Sequence, residues 1–170
     1  MKRFILISLL SVVAAFALIL PVSVSGGAGA SVLRISLGGA CLILPQAIWL
    51  WAADYTASKA SQRPPSNFIR GLVIFFVFAF ALTYGVLLAS PLPGNNSIIM
   101  YLGNILFPAA FVALFTSIIL VSRRVIDAED NPQVARGSRI FVLCLCFFYA
   151  IIGMFFLAPR LKKLKAKAEL

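Results

Sequence analysis

Long uncharged runs alternate with short polar segments along the whole chain. The longest uncharged tract, residues 71–122, lies between Arg70 and Arg123 and contains no Asp, Glu, Lys, Arg or His. A polar turn at residues 90–97 divides it into two apolar runs. At 1.5 Å per helical residue, each covers a hydrocarbon core about 30 Å thick. In lipid every backbone N–H and C=O must find a partner within the protein, which leaves helices or closed barrels. Continuous apolarity without in/out alternation excludes barrel strands. The same pattern recurs at both ends of the chain. The sequence therefore predicts an all-α fold, a polytopic transmembrane helical bundle of about five membrane-spanning helices. The expected spans are residues 4–20, 35–53, 71–89, 98–121 and 140–158, in a single integral membrane domain over residues 1–170 with a basic tail at 159–170.

The first run also fits a signal peptide, because Lys2 and Arg3 precede it and Ala28-Gly29-Ala30 has the small-x-small form of a cleavage site. That site lies well beyond the run, which is itself longer than the usual 7–15 residues of a signal core. A retained span is the preferred reading, and four spans remain if the segment is cleaved. Pro21 is expected to end this helix, and residues 25–30 to form a flexible connection.

Further boundaries follow from prolines and polar clusters. Pro45 predicts a kink near Cys41, and Trp49, Trp51 and Tyr55 read as an interfacial belt. Residues 54–70, with Pro64-Pro65, read as a polar connector, and Ser66 or Asn67 as the cap of the next helix. Asn95-Asn96-Ser97 matches a glycosylation acceptor but abuts a span, so a turn and cap role is expected. Gly103 and Pro108 around Asn104 raise the option of a broken helix. Residues 123–139 read as a second basic loop with a turn at Asn131-Pro132, and Pro159 as the stop of the last helix.

Small residues recur at every fourth position in the central runs: Ala81, Gly85 and Ala89 in one, Ala109, Ala113 and Ser117 in the other. Lipid is as apolar as Leu, so membrane helices associate through close backbone approach, and these stripes are the expected helix-packing faces.

Composition sharpens the picture. At 62% apolar residues and a mean hydropathy of +1.02, a soluble bundle is excluded. The 15 basic residues against 5 acidic ones all lie at span ends, in loops or at termini. There they set orientation and meet anionic headgroups rather than nucleic acid. Arg160, Lys162, Lys163, Lys165 and Lys167 form the expected lipid-headgroup contact, and anionic membrane lipids are the expected partners. The positive-inside count places the N-terminus in the cytoplasm by a modest margin, because it strands the basic tail and Arg34 on the opposite side. Only a last run that fails to cross, or an inverted protein, brings the tail inside. Short loops and the basic start suit a bacterial inner membrane.

Candidate chemistry is sparse. The chain has no His and no ionisable residue inside an expected span. Haem or zinc ligation by His, a Ser-His-Asp relay and an intramembrane carboxylate pathway therefore lack their groups. Cys41, Cys144 and Cys146 lie in apolar runs and read as buried free thiols. Asp127, Glu129 and Asp130 lack the spacing of a calcium loop and are expected to pair with Arg123, Arg124 and Arg136. An interfacial active site built from these acids and Asp54 is disfavoured. No catalytic residue, metal or cofactor is expected. The leading expectation is a small multi-pass membrane protein without catalytic equipment, an accessory, assembly or structural subunit acting through a membrane-protein partner or a second copy of itself. The alternative is a transporter or channel component with a polar path near Gln46 and Asn104, joined by Tyr101 and Thr83.

Overall fold

A computed structural model describes residues 2–19, 28–89, 97–129, 136–148 and 150–168. Among the described residues the chain is all-helical, with no strand. The elements are α1 (Lys2–Ile19), α2 (Ala28–Ala60), α3 (Asn67–Ala89), α4 (Ser97–Glu129), α5 (Arg136–Phe148) and α6 (Ala150–Ala168). Three of the five expected spans coincide with helices long and apolar enough to cross a membrane: Leu33–Ala60, Asn67–Val86 and Gly103–Glu129. The turns expected at Pro21, at residues 90–96 and at Asn131-Pro132, and the acid Asp130, lie outside the described residues.

Several expected boundaries are displaced. Residues 28–30 already belong to α2, so they are not a flexible connection. Residues 54–60, expected as connector, continue α2, because the segment Ala52-Ala53-Asp54-Tyr55-Thr56-Ala57 holds no Gly or Pro and its Ala53 and Ala57 are fully buried. The stop comes later. Gln62 takes a positive φ of 55°. Its N–H donates to the Lys59 carbonyl (3.2 Å), and the Arg63 N–H donates to the Ser58 carbonyl (3.0 Å). This nested pair is a Schellman cap, which satisfies carbonyls that the last turn leaves open. Ser66 caps α3, its Oγ accepting from the Ile69 N–H at 3.3 Å.

Likewise α4 runs through the expected basic loop as far as Glu129 and passes Pro108 without interruption, so it is not a broken helix. Pro159 does not end α6, which continues to Ala168. A proline inside a helix costs about 3 kcal/mol. Leu157, Leu161 and Leu164 form one face across it and are all buried, at about 1.5–3 kcal/mol each, so packing outweighs the local penalty.

The chain divides into two compact units, each described by itself. The first comprises Met1–Pro45 and Ile74–Ala113. Here α3 buries Phe76, Ala79, Thr83 and Val86. A Cβ on Gly39 of α2 would lie 2.8 Å from Cδ1 of Tyr84, and one on Gly103 of α4 would lie 3.0 Å from Cγ1 of Val86. Glycine at both places lets α2 and α4 approach α3 closely. On α1, Ser11 and Ala15 are buried, one turn apart, while Leu6, Leu10 and Val13 are exposed.

The second unit comprises Gln46–Val73 and Leu114–Leu170. Its core includes Leu50, Ala53 and Ala57 of α2, Ile69 and Val73 of α3, and Leu143 of α5. From α4 it takes Leu114, Ile118, Val121, Val125 and Ala128, whose alternating steps of four and three mark one helical face. The helices α5 and α6 touch each other. Where one helix over residues 140–158 was expected, two helices are described: α5 ends at Phe148, α6 begins at Ala150, and Tyr149 lies outside the described residues.

Candidate functional site

The polar side chains of the second unit gather where α2, α3, α4 and α6 present charges, in two clusters. The first is built on Asp54, whose side chain is only 2% exposed. A buried carboxylate without a partner is costly, and Arg124 of α4 supplies that partner at 3.0 Å. The same Nη1 donates to Ser58 Oγ at 3.1 Å and to the Pro64 carbonyl at 3.4 Å. One guanidinium thus joins two positions of α2, one turn apart, to the connector that follows. Next to it Arg70 lies over the ring of Trp51, 5.4 Å from its centroid, and Lys59 over Tyr55 at 5.1 Å.

The second cluster centres on Glu129, at the end of α4. Arg139 of α5 donates to Glu129 Oε2, and Arg160 Nε of α6 lies 3.9 Å from Oε1. Nearby, Lys167 donates to the Ala128 carbonyl at 3.2 Å, a cation placed on the open carbonyls of a helix C-terminus. Higher along the α4–α5 contact, the Cys144 thiol donates to Ser122 Oγ at 3.6 Å. Charge pairs therefore run between helices: Arg124 pairs with Asp54, and Glu129 with Arg139 and Arg160.

The residues singled out from sequence fall as follows. Among the small-residue stripes, Gly85, Ala113 and Ser117 are buried, Ala81 and Ala109 are half-buried, and the side chain of Ala89 is outside the described set. The polar-path residues belong to both units. Tyr101 is 71% exposed and Asn104 is exposed. Thr83 is fully buried, its hydroxyl turned back to the Ala79 carbonyl of its own helix at 2.8 Å. Gln46 is half-buried in the other unit. Of the tail cations, Lys162, Lys163, Lys165 and Lys167 are exposed and Arg160 is half-buried against Glu129. The three cysteines are free and half-buried. Among the described residues, no three His, Cys, Asp or Glu side chains come together in a way that could hold a metal.

Chemically, both clusters hold helices together. Asp54 and Glu129 each accept from an arginine of another helix. No protein-family model matches the chain, and neither a curated protein nor a solved structure matches it significantly.

Proposed function

We propose that this is a small multi-pass membrane protein that acts by binding, as an accessory, assembly or structural subunit. The observation that carries this reading is the outer surface of the span-length helices. Leu37, Leu44, Ile74, Phe75, Phe78, Ile105, Val112, Phe115 and Ile119 are all exposed large apolar side chains, suited to lipid or to another membrane helix. Asp54 and Glu129 are instead engaged with arginines.

The charges also supply a membrane register. Twenty helical residues cover about 30 Å, the thickness of the hydrocarbon core. Counting back from Asp54 along α2 reaches Arg34, and counting back from Arg123 along α4 reaches Gly103. Tyr101 and Asn104 then belong to the headgroup zone opposite Arg124, a natural depth for a Tyr ring and an amide. On this reading α1 also crosses, the N-terminus is cytoplasmic, and the protein resides in a bacterial inner membrane.

The test is copurification of the full-length protein from native membranes in mild detergent, with mass spectrometry of what stays bound. A stoichiometric membrane-protein partner is the expected result. A protein that elutes alone as a monomer would overturn the subunit reading.

A further inference from the structure

The last apolar run has the length of a span, yet its two ends return to the same carboxylate. Arg139 and Arg160 both reach Glu129. One straight helix would separate them by about 31 Å, far more than two arginine side chains can bridge. Instead α5 and α6 contact each other on either side of residue 149, and Arg139 and Arg160 lie at nearly equal distances from it in sequence. An antiparallel pair brings those two positions level. Leu143, Leu157, Leu161 and Leu164 are buried, whereas Phe141, Val142, Leu145 and Phe156 are exposed. From Arg139 to Phe148 the first arm rises about 14 Å, about half of a hydrocarbon core.

Resting on the membrane reading above, we propose that α5–α6 is a re-entrant hairpin. It dips into the bilayer from the face that holds Asp54 and Arg124 and does not cross. The basic end of α6 comes back to that face, where its exposed lysines lie on anionic lipid headgroups. Two features favour this occupant. First, α6 is amphipathic beyond Pro159: Leu161 and Leu164 are buried in the protein, Lys162 and Lys163 are exposed, and Lys167 holds the Ala128 carbonyl. Second, the charge distribution becomes one-sided. With the tail returned, every one of the 15 Lys and Arg residues except Arg34 falls on the cytoplasmic face. That removes the stranded tail, which a crossing last helix leaves on the wrong side. Juxtamembrane lysines attract an anionic leaflet at short range, and salt screens them.

The experiment uses the full chain with Cys41, Cys144 and Cys146 replaced by Ala and one new cysteine at a time: Arg63→Cys, Asn96→Cys or Ala166→Cys. A membrane-impermeant maleimide is added to right-side-out vesicles before and after permeabilisation. Arg63→Cys and Ala166→Cys should label alike, and Asn96→Cys oppositely. If Ala166→Cys instead follows Asn96→Cys, the last run crosses and the hairpin is overturned while the membrane reading stands. If Arg63→Cys and Asn96→Cys label alike, α3 does not cross and the membrane reading itself fails. The lipid contact is read from a bimane on Ala166→Cys in proteoliposomes. A blue shift in phosphatidylglycerol over phosphatidylcholine that high salt reverses is expected. Equal emission in the two lipids would overturn the headgroup contact.

Discussion

Arg124 differs from its neighbour Arg123 in what it faces. Arg123 is exposed, whereas Arg124 touches a buried carboxylate, a hydroxyl and a carbonyl. Removing one member of a buried pair leaves the other charged and unpaired, at about 3–5 kcal/mol. Since Arg124 is 33% exposed, water can re-solvate part of the site, so Arg124→Ala should cost about 3 kcal/mol, the lower end of that range. Arg123→Ala should stay within about 0.5 kcal/mol. Unfolding in mixed micelles followed by circular dichroism separates them, and equal losses would contradict the assignment. A second single-residue effect has the opposite sign. Gln62 sits in the left-handed region that glycine occupies without a Cβ clash. Gln62→Gly should raise stability by about 0.5–1 kcal/mol in the same assay, net of the entropy a glycine adds to the unfolded chain.

At the scale of elements, the glycines separate by what surrounds them. Gly39 meets Tyr84 at contact distances that a real Cβ does not tolerate, whereas Gly71 has nothing within 4 Å. Gly39→Ala should cost about 1–3 kcal/mol through overpacking, and most of that loss should vanish in a Tyr84→Ala background. Gly71→Ala should instead stabilise α3 by up to about 1 kcal/mol. The tail of α6 gives a similar contrast. Leu164→Ala should open the helix end by about 2–3 kcal/mol, measured as faster amide exchange over residues 160–168. Lys163→Ala should leave exchange unchanged, because that side chain is exposed.

That the chain is helical, with three helices long and apolar enough to cross a membrane, was legible in the sequence, since apolar runs of this length leave few alternatives. Their ends were not. Asp54 and the residues after it look like a loop because polarity rises there, but a polar residue ends nothing when its partner arrives from elsewhere in the fold. Arg124 lies 70 positions away, and no local pattern announces it. The i, i+4 placement of Asp54 and Ser58 beside the Leu50 and Ala57 face was the one available hint that the helix continued. Glu129 was visible only as part of an acidic cluster, and its partners Arg139 and Arg160 lie on two different helices, 10 and 31 positions further along the chain, which no local pattern announces.

For the whole molecule, the exposed apolar surface and the engaged charges make a solubility prediction. Charge contacts do not anchor the protein as a peripheral one, so alkaline carbonate should leave it in the membrane pellet, and only detergent should release it. Recovery in the carbonate supernatant would be incompatible with crossing helices. The Arg124 contacts also have a mechanical meaning. If α2 slid along α4 by one helical turn, 5.4 Å, the guanidinium would keep at most one of Asp54 and Ser58, which stand one turn apart on α2, and would lose the other together with the Pro64 carbonyl. Within that unit the contact works as a pin, which sets the two helices in one register and makes sliding costly.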